Sequence, residues 1–297
     1  MEITTVALLA SFGGGVFAAA IGTLQAFIFT GFAVIAGVAM TGAGGDDAML
    51  TQVAFGPFLA PHISFGGGVA ATAYAARRGL MPSGRDIGVA LMGLNRPDVL
   101  LIGGLFGVVG YLCERGLAGL GWVPWTDTIA VTVVLSAIVA RLVFGRTGLF
   151  GRVAAGGAQF RTADEARWLA WQETPGQIAA IGVGAGLCSA YAAISLGAEG
   201  GGAVLGFGVA AASLIFLHSG STLPVTHHIA LPAALAALAS GNIVIGVVFG
   251  LVGAVAGEFF SRLFLIHGDT HIDPPAAAIG ATVLLLRLAE ANGLVGG

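Results

Sequence analysis

The chain has 297 residues, 57% of them hydrophobic and only 9% charged, with a mean hydropathy of +0.94 and a formal charge of −3. A soluble domain carries about 25% charged residues, so this composition excludes an ordinary soluble fold and requires an all-α polytopic membrane protein. The absence of basic excess also excludes nucleic acid as a partner. Fifty glycines fit helices whose backbones pack closely, because lipid supplies no hydrophobic drive for their association.

A spanning helix needs about 20 apolar residues. Residues 3–40 hold no charge and are too long for one span, so they are split near Gly22-Thr23. The N-terminus lacks a basic leader with a cleavage site and reads as a retained span. Thr41 to Pro61 is Gly-rich, carries Asp46 and Asp47, and ends in Pro57 and Pro61, which predicts a loop or re-entrant segment. A third, short span runs from His62 to Ala76. Ile87 to Leu94 is too short to cross, and whether it is re-entrant stays open. Val99–Cys113 and Thr128–Phe144 are the fourth and fifth spans, with Trp122 and Trp125 between them at an expected interfacial belt.

Residues 145–175 are the one polar stretch, with four arginines, Asp164, Glu165, Glu173, Trp168 and Trp171. They read as a cytoplasmic surface helix joining two membrane repeats, 1–144 and 176–297. The second repeat holds Gln177–Ile194, Gly201–Leu217, a short His228–Ala239, Ile243–Leu265 and Pro275–Ala289. Arg77, Arg78, Arg85 and Arg96 fall two crossings before the Arg-rich linker, so the positive-inside rule puts both in the cytoplasm. Cys113 and Cys188 read as buried thiols rather than a disulfide.

The halves repeat each other. Ile102–Gly110 and Ile245–Gly253 are identical at six of nine positions. His62-Ile63 matches His228-Ile229, and Asp127 with Arg141-Leu142 matches Asp273 with Arg287-Leu288. Five segments per copy is an odd number, which predicts an inverted-topology repeat whose site lies at the repeat interface, where helices are broken.

The expected site is built on Gly56–Ile63 and its echo Thr222–Ile229. His62, His227 and His228 can donate, accept and switch charge near neutrality. Pro61 and Pro224 free upstream carbonyls. Thr222, Ser221 and Thr226 add hydroxyls, and Gln52 an amide, that could replace the hydration shell of a small polar solute. Gln25 reads as a cap or an interhelical hydrogen bond. Charge is nearly absent between the interfaces. Glu258 lies deeper with Arg262 four residues on, as a structural ion pair or a coupling group. His218 with His227 and His228, or His267 and His271 with Asp273, are the weaker candidates for a metal. No G-x-S-x-G, H-E-x-x-H or Walker A motif is present, so neither an enzyme nor a cofactor is expected.

Phe55–Tyr74, Phe-Gly-Pro-Phe-Leu-Ala-Pro-His-Ile followed by a glycine-rich helix, resembles segments of uncharacterised prokaryotic permease-like integral membrane proteins. That resemblance implies a multi-pass protein of the prokaryotic cell membrane. Two inverted five-span halves are also similar to the architecture of urea transporters. Leu223-Pro224-Val225-Thr226 resembles their Leu-Pro-x-x-Thr elements, with a different spacing and no counterpart in the first half. Only the architecture is implied.

The expected function is therefore a permease or channel for a small polar solute, with its path between the repeats. Two alternatives stand beside it. One is a non-transporting scaffold subunit binding a partner protein, and the other a transition-metal transporter using the His clusters. Glycine-rich outer faces fit a homo-oligomer.

Overall fold

The computed structural model describes residues 3–123, 125–161 and 167–296. Among them every regular element is helical, and five helices are long and apolar enough to cross a membrane. The first half contains α1 (Thr5–Ile21), α2 (Thr23–Gly42), α3 (Ser64–Arg77), α4 (Pro97–Gly119) and α5 (Thr128–Phe144). The second contains α6 (Pro175–Leu196), α7 (Gly202–Ser213), the single turn α8 (Ile215–His218), α9 (His227–Ser240), α10 (Ile243–Phe260) and α11 (Pro274–Ala291). The five membrane-length helices are α2, α4, α6, α11, and α10 with its π-helical extension to Leu265. Residues 87–94 form no span, only a 3-10 turn at Leu91–Leu94.

Local chemistry explains these boundaries. Gly22, at φ 104°, is where α1 ends and α2 begins, a backbone setting that side chains avoid. Thr4, Thr174 and Asn242 cap α1, α6 and α10 through their side chains. Asp127 accepts from the Ala130 N–H at 2.7 Å and Asp273 from the Ala276 N–H at 2.8 Å, so these matched aspartates open α5 and α11 as N-caps.

The polarity of packing is inverted relative to a soluble bundle. On α4, Gly103, Gly107 and Gly110 are buried while Leu101, Leu105 and Leu112 are exposed. On α10, Gly246, Gly250, Gly253 and Gly257 are buried while Val244, Val248 and Val255 are exposed. Small residues inside and branched ones outside suit association within lipid.

The two halves pack alike. α1, α3 and α4 form one mutually packed triplet, and α6, α9 and α10 another. The halves meet along two seams, α2 against α7 and α5 against α11. Both seams run antiparallel. Gly31 faces Gly208 and Ala212, whereas Val38, a turn or two further on, faces Gly201. Likewise Thr126 donates to Gly280 O at 2.8 Å, while Arg141, near the other end of α5, donates to Thr270 Oγ1 at 2.9 Å.

One end of the bundle is tied by three segments. Gly84 bridges to Thr270, Asp269 accepts from the Arg146 N–H and the Thr147 hydroxyl at 2.6 and 2.8 Å, and Arg141 donates both to Leu149 O of the linker and to Thr270. The arginine-bearing loop after α3 and the linker after α5 therefore meet at one end.

The linker corrects an expectation. Described residues 145–161 and 167–174 hold no helix, and Asp164 and Glu165 lie outside the described residues. Instead Leu169 and Gln172 are buried, and Gln172 clasps the backbone of Val225, donating to its carbonyl at 3.0 Å and accepting its N–H at 2.8 Å. Trp171 Nε1 donates to Leu223 O at 2.9 Å. Apolar and amide side chains that looked like one face of a surface helix are used to pin the broken segment before α9. Gln172→Ala should cost about 1–3 kcal/mol, because it leaves a buried donor and acceptor unpaired. Hydrogen exchange across residues 219–226 should rise in this variant, and unchanged protection would remove the clasp from the account.

Candidate functional site

The first broken segment is held without regular structure by hydroxyls: Leu59 O accepts from Thr30 Oγ1 and Ser64 Oγ, each at 2.8 Å. In the second half Ser189 Oγ ties α6 to the first turn of α9, donating to Ala230 O at 2.6 Å. Irregular backbone is tolerated at membrane depth only where protein buries it, and Leu59 to Ile63 are all buried. In each half the His carbonyl is passed over by the helix ladder. The Gly66 N–H goes to Pro61 O, and Pro232 has no N–H to offer His228. The freed carbonyls of His62 and His228 press on Gly110 of α4 and Gly253 of α10.

Between the halves lies a cavity of about 750 Å³. α2, α3 and α5 wall it from the first half, and α7, α9 and α11 from the second. Its core is a set of rings: Phe27 lies 5.8 Å from Phe65, 5.7 Å from Phe207 and 4.9 Å from His227, centroid to centroid. His271 lies 5.8 Å from Phe65. Both N-capping aspartates, Asp127 and Asp273, face the same space. The His271 Nε2 and Asp273 Oδ1 atoms are 3.1 Å apart. His227 is 6% exposed, lines the cavity, and its Nδ1 has no hydrogen-bond partner.

Ser83, Arg85, Asp86, Trp168 and Trp171 also line it. Asp86 and Trp171 are exposed, which places the mouth at the loop after α3 and the linker. Burial lowers the Arg85 pKa from its ordinary value, and its Nη1 points to Ile266 O at 3.5 Å. Among the described lining residues, Arg85 is the one arginine.

The expected site residues separate. Pro61 and His227 line the cavity, but His62 and His228 do not. His62 is buried against α4 with its Nδ1 unpartnered. His228 is wholly buried, 6.0 Å from Trp168 and against Gly257, and neither ring nitrogen has a partner. The two histidines thus occupy matching positions in the two walls and do not meet. Gln52, Ser221 and Thr222 are exposed, and Pro224 and Thr226 half-buried, all off the cavity lining.

Glu258 accepts from Arg262 Nε at 2.7 Å, an i,i+4 pair away from the cavity. Gln25 Nε2 donates to Gly88 O at 2.7 Å, tying α2 to the loop after α3. The metal candidates also disperse. His218 is exposed, His267 Nε2 sits 3.2 Å from Gln159 O, and His271 is with Asp273. Among the described residues no three His, Cys, Asp or Glu side chains converge.

Reading the residues in order missed the phenylalanine box and the role of the aspartates. Phenylalanines in apolar helices carry no distinguishing pattern. Asp127 and Asp273 did carry one, since each recurs at the same place in the repeat. No curated protein and no solved structure matches the chain. One family model matches it twice, over residues 1–161 and 151–296, and by that match the chain belongs to the family of unknown function DUF7973.

Proposed function

We propose that this chain is a multi-pass permease of a prokaryotic cell membrane, passing a small polar solute along the interface of two inverted five-segment repeats. The observation that carries this reading is the cavity walled equally by both halves, since solute sites of inverted-repeat transporters lie at the repeat interface. Three others support it. The same family model matches both halves. Equivalent helices pack equivalently, with α1, α3 and α4 answering to α6, α9 and α10. Equivalent helices that touch, α2 with α7 and α5 with α11, run antiparallel, as a two-fold axis lying in the membrane plane requires.

On this reading the short helices α3 and α9 are half-spans, each entered through a broken segment, and the segments number ten. The mouth at Asp86 and Trp171 lies at the arginine-bearing end, which the positive-inside rule makes cytoplasmic. The state described is therefore inward-open.

Reconstitution in liposomes tests this. At least one of urea, ammonia, formate, bicarbonate or a divalent metal should cross faster than in empty vesicles, and Ala276→Phe, which fills the cavity from α11, should abolish most of that flux. No accelerated solute would overturn the assignment. Stoichiometric capture of a partner protein together with no flux would replace it by the scaffold reading.

A further inference from the structure

The cavity is far larger and far more apolar than a path for urea-sized molecules needs. Ligand pockets of about 300–1,000 Å³ ordinarily enclose drug-sized molecules, with mostly apolar walls and a few placed polar groups. At about 750 Å³ this cavity falls in that range. Its polar groups are also unevenly charged. The titratable side chains on its lining are Asp86, Asp127, Asp273, Arg85, His227 and His271. Arg85 and Asp86 stand together at the mouth, so the interior keeps Asp127 and Asp273 with no arginine beside them.

An anion entering there meets two carboxylates. A neutral molecule adds nothing to the helix-cap and His271 contacts that offset those carboxylates. A cation offsets them, and ring faces within about 6 Å attract it further. Asp273 has capacity for this contact: His271 Nε2 and the Ala276 N–H occupy one site on each oxygen, and a carboxylate offers about four.

A second, independent observation points the same way. His227 is buried inside the ring cluster, 4.9 Å from Phe27 and 5.9 Å from Phe207, its side chain lines the cavity, and its Nδ1 has no hydrogen-bond partner. A neutral imidazole keeps one nitrogen as acceptor, which an ammonium N–H satisfies.

We propose that the cavity binds an amphipathic organic ammonium. Its apolar body lies among Phe27, Phe65 and Phe207, and its charged head lies between His227 and Asp273. This rests on reading the cavity as the solute path, and it narrows the solute from small and polar to cationic with an apolar body.

The test is calorimetric titration of purified full-length protein in detergent with phenethylammonium, and with phenylacetate and phenethyl alcohol as its anionic and neutral counterparts. Phenethylammonium should bind saturably, at one per chain, and at least about tenfold tighter than either counterpart, the equivalent of about 1.4 kcal/mol. Asp273→Asn should weaken it at least about tenfold while the protein stays folded, because asparagine caps a helix as well as aspartate does. Equal or tighter binding of phenylacetate or the alcohol, no binding of the cation, or affinity indifferent to both Asp273→Asn and Asp127→Asn would each overturn the proposal. The same protein in liposomes separates the two readings. Flux of another solute without ammonium binding overturns the ligand class and leaves the permease. Ammonium binding without flux of any solute supports the ligand class and overturns the permease.

Discussion

Alanine at Gly110 is expected to destabilise the protein by about 3 kcal/mol or more, and alanine at Gly253 should do the same. At both positions an added methyl would overlap the carbonyl oxygen of the repeat-matched histidine, His62 or His228. Overpacking costs about 1–3 kcal/mol when flexible side chains can give way. Here the obstacle is backbone, held in the first half by the Thr30 and Ser64 hydroxyls that fix Leu59, so the cost falls at the upper end or beyond. Gly116 and Gly184 provide the contrast. A methyl at either meets nothing within 4 Å, and alanine there should stabilise by about 0.5–1 kcal/mol through helix propensity. Thermal unfolding in detergent measures all four. If Gly110→Ala melts with Gly116→Ala, the close approach of α4 to the broken segment is wrong.

Arg141→Met is expected to be comparably damaging. Arg141 is 1% exposed and donates to Thr270 Oγ1, Thr270 O, Leu149 O and Phe264 O. One guanidinium thereby joins α5, the linker and the segment before α11, the place where the two halves are tied at one end. Hydrogen bonds to a charged group are each worth about 1.5–3 kcal/mol. Methionine leaves four acceptors facing an apolar chain, so a loss of at least about 3 kcal/mol follows. Arg141→Lys should recover only part of it, because a point charge cannot serve acceptors spread around a planar fork. A lysine variant as stable as the parent would show that charge alone, not the fork, holds the knot. Its repeat partner Arg287 pairs with Glu290 at 2.8 Å and is a third exposed, and Arg287→Met should shift the melting temperature little.

The helices were legible because their ends are written in capping residues and proline. Asp127 and Asp273 each sit at the residue where an apolar run starts, and the span from Thr128 to Phe144 was readable to the residue. The site was legible only to its neighbourhood. His227 and His228 are adjacent in sequence but about 100° apart around a helix, so one faces the cavity and the other faces Gly257 and Trp168. A repeat identifies which residues correspond; it does not say which way they point. The linker was misread for a related reason. Trp168, Leu169, Trp171 and Gln172 have the spacing of an amphipathic helix, but their partners, Leu223 and Val225, are more than 50 residues away and leave no local trace. The phenylalanine box is likewise invisible in a chain with 18 phenylalanines until α2, α3 and α7 are brought together.

The glycine packing has a mechanical consequence. Within each triplet, α1, α3 and α4 or α6, α9 and α10, glycine backbones touch neighbouring backbones directly. Contacts of that kind have no side-chain compliance, so each triplet behaves as one stiff body. The cavity lies between two such bodies, and its walls α2, α5, α7 and α11 are also their bearings. The α2/α7 seam shares that contact, Gly31 against Gly208 and Ala212, whereas α5 meets Gly280 of α11 through the side chains of Val131 and Thr126. Relative motion of the two bodies would therefore be taken up along α5/α11, and a cross-link across that seam would arrest it, whereas cross-links inside a triplet would leave it free.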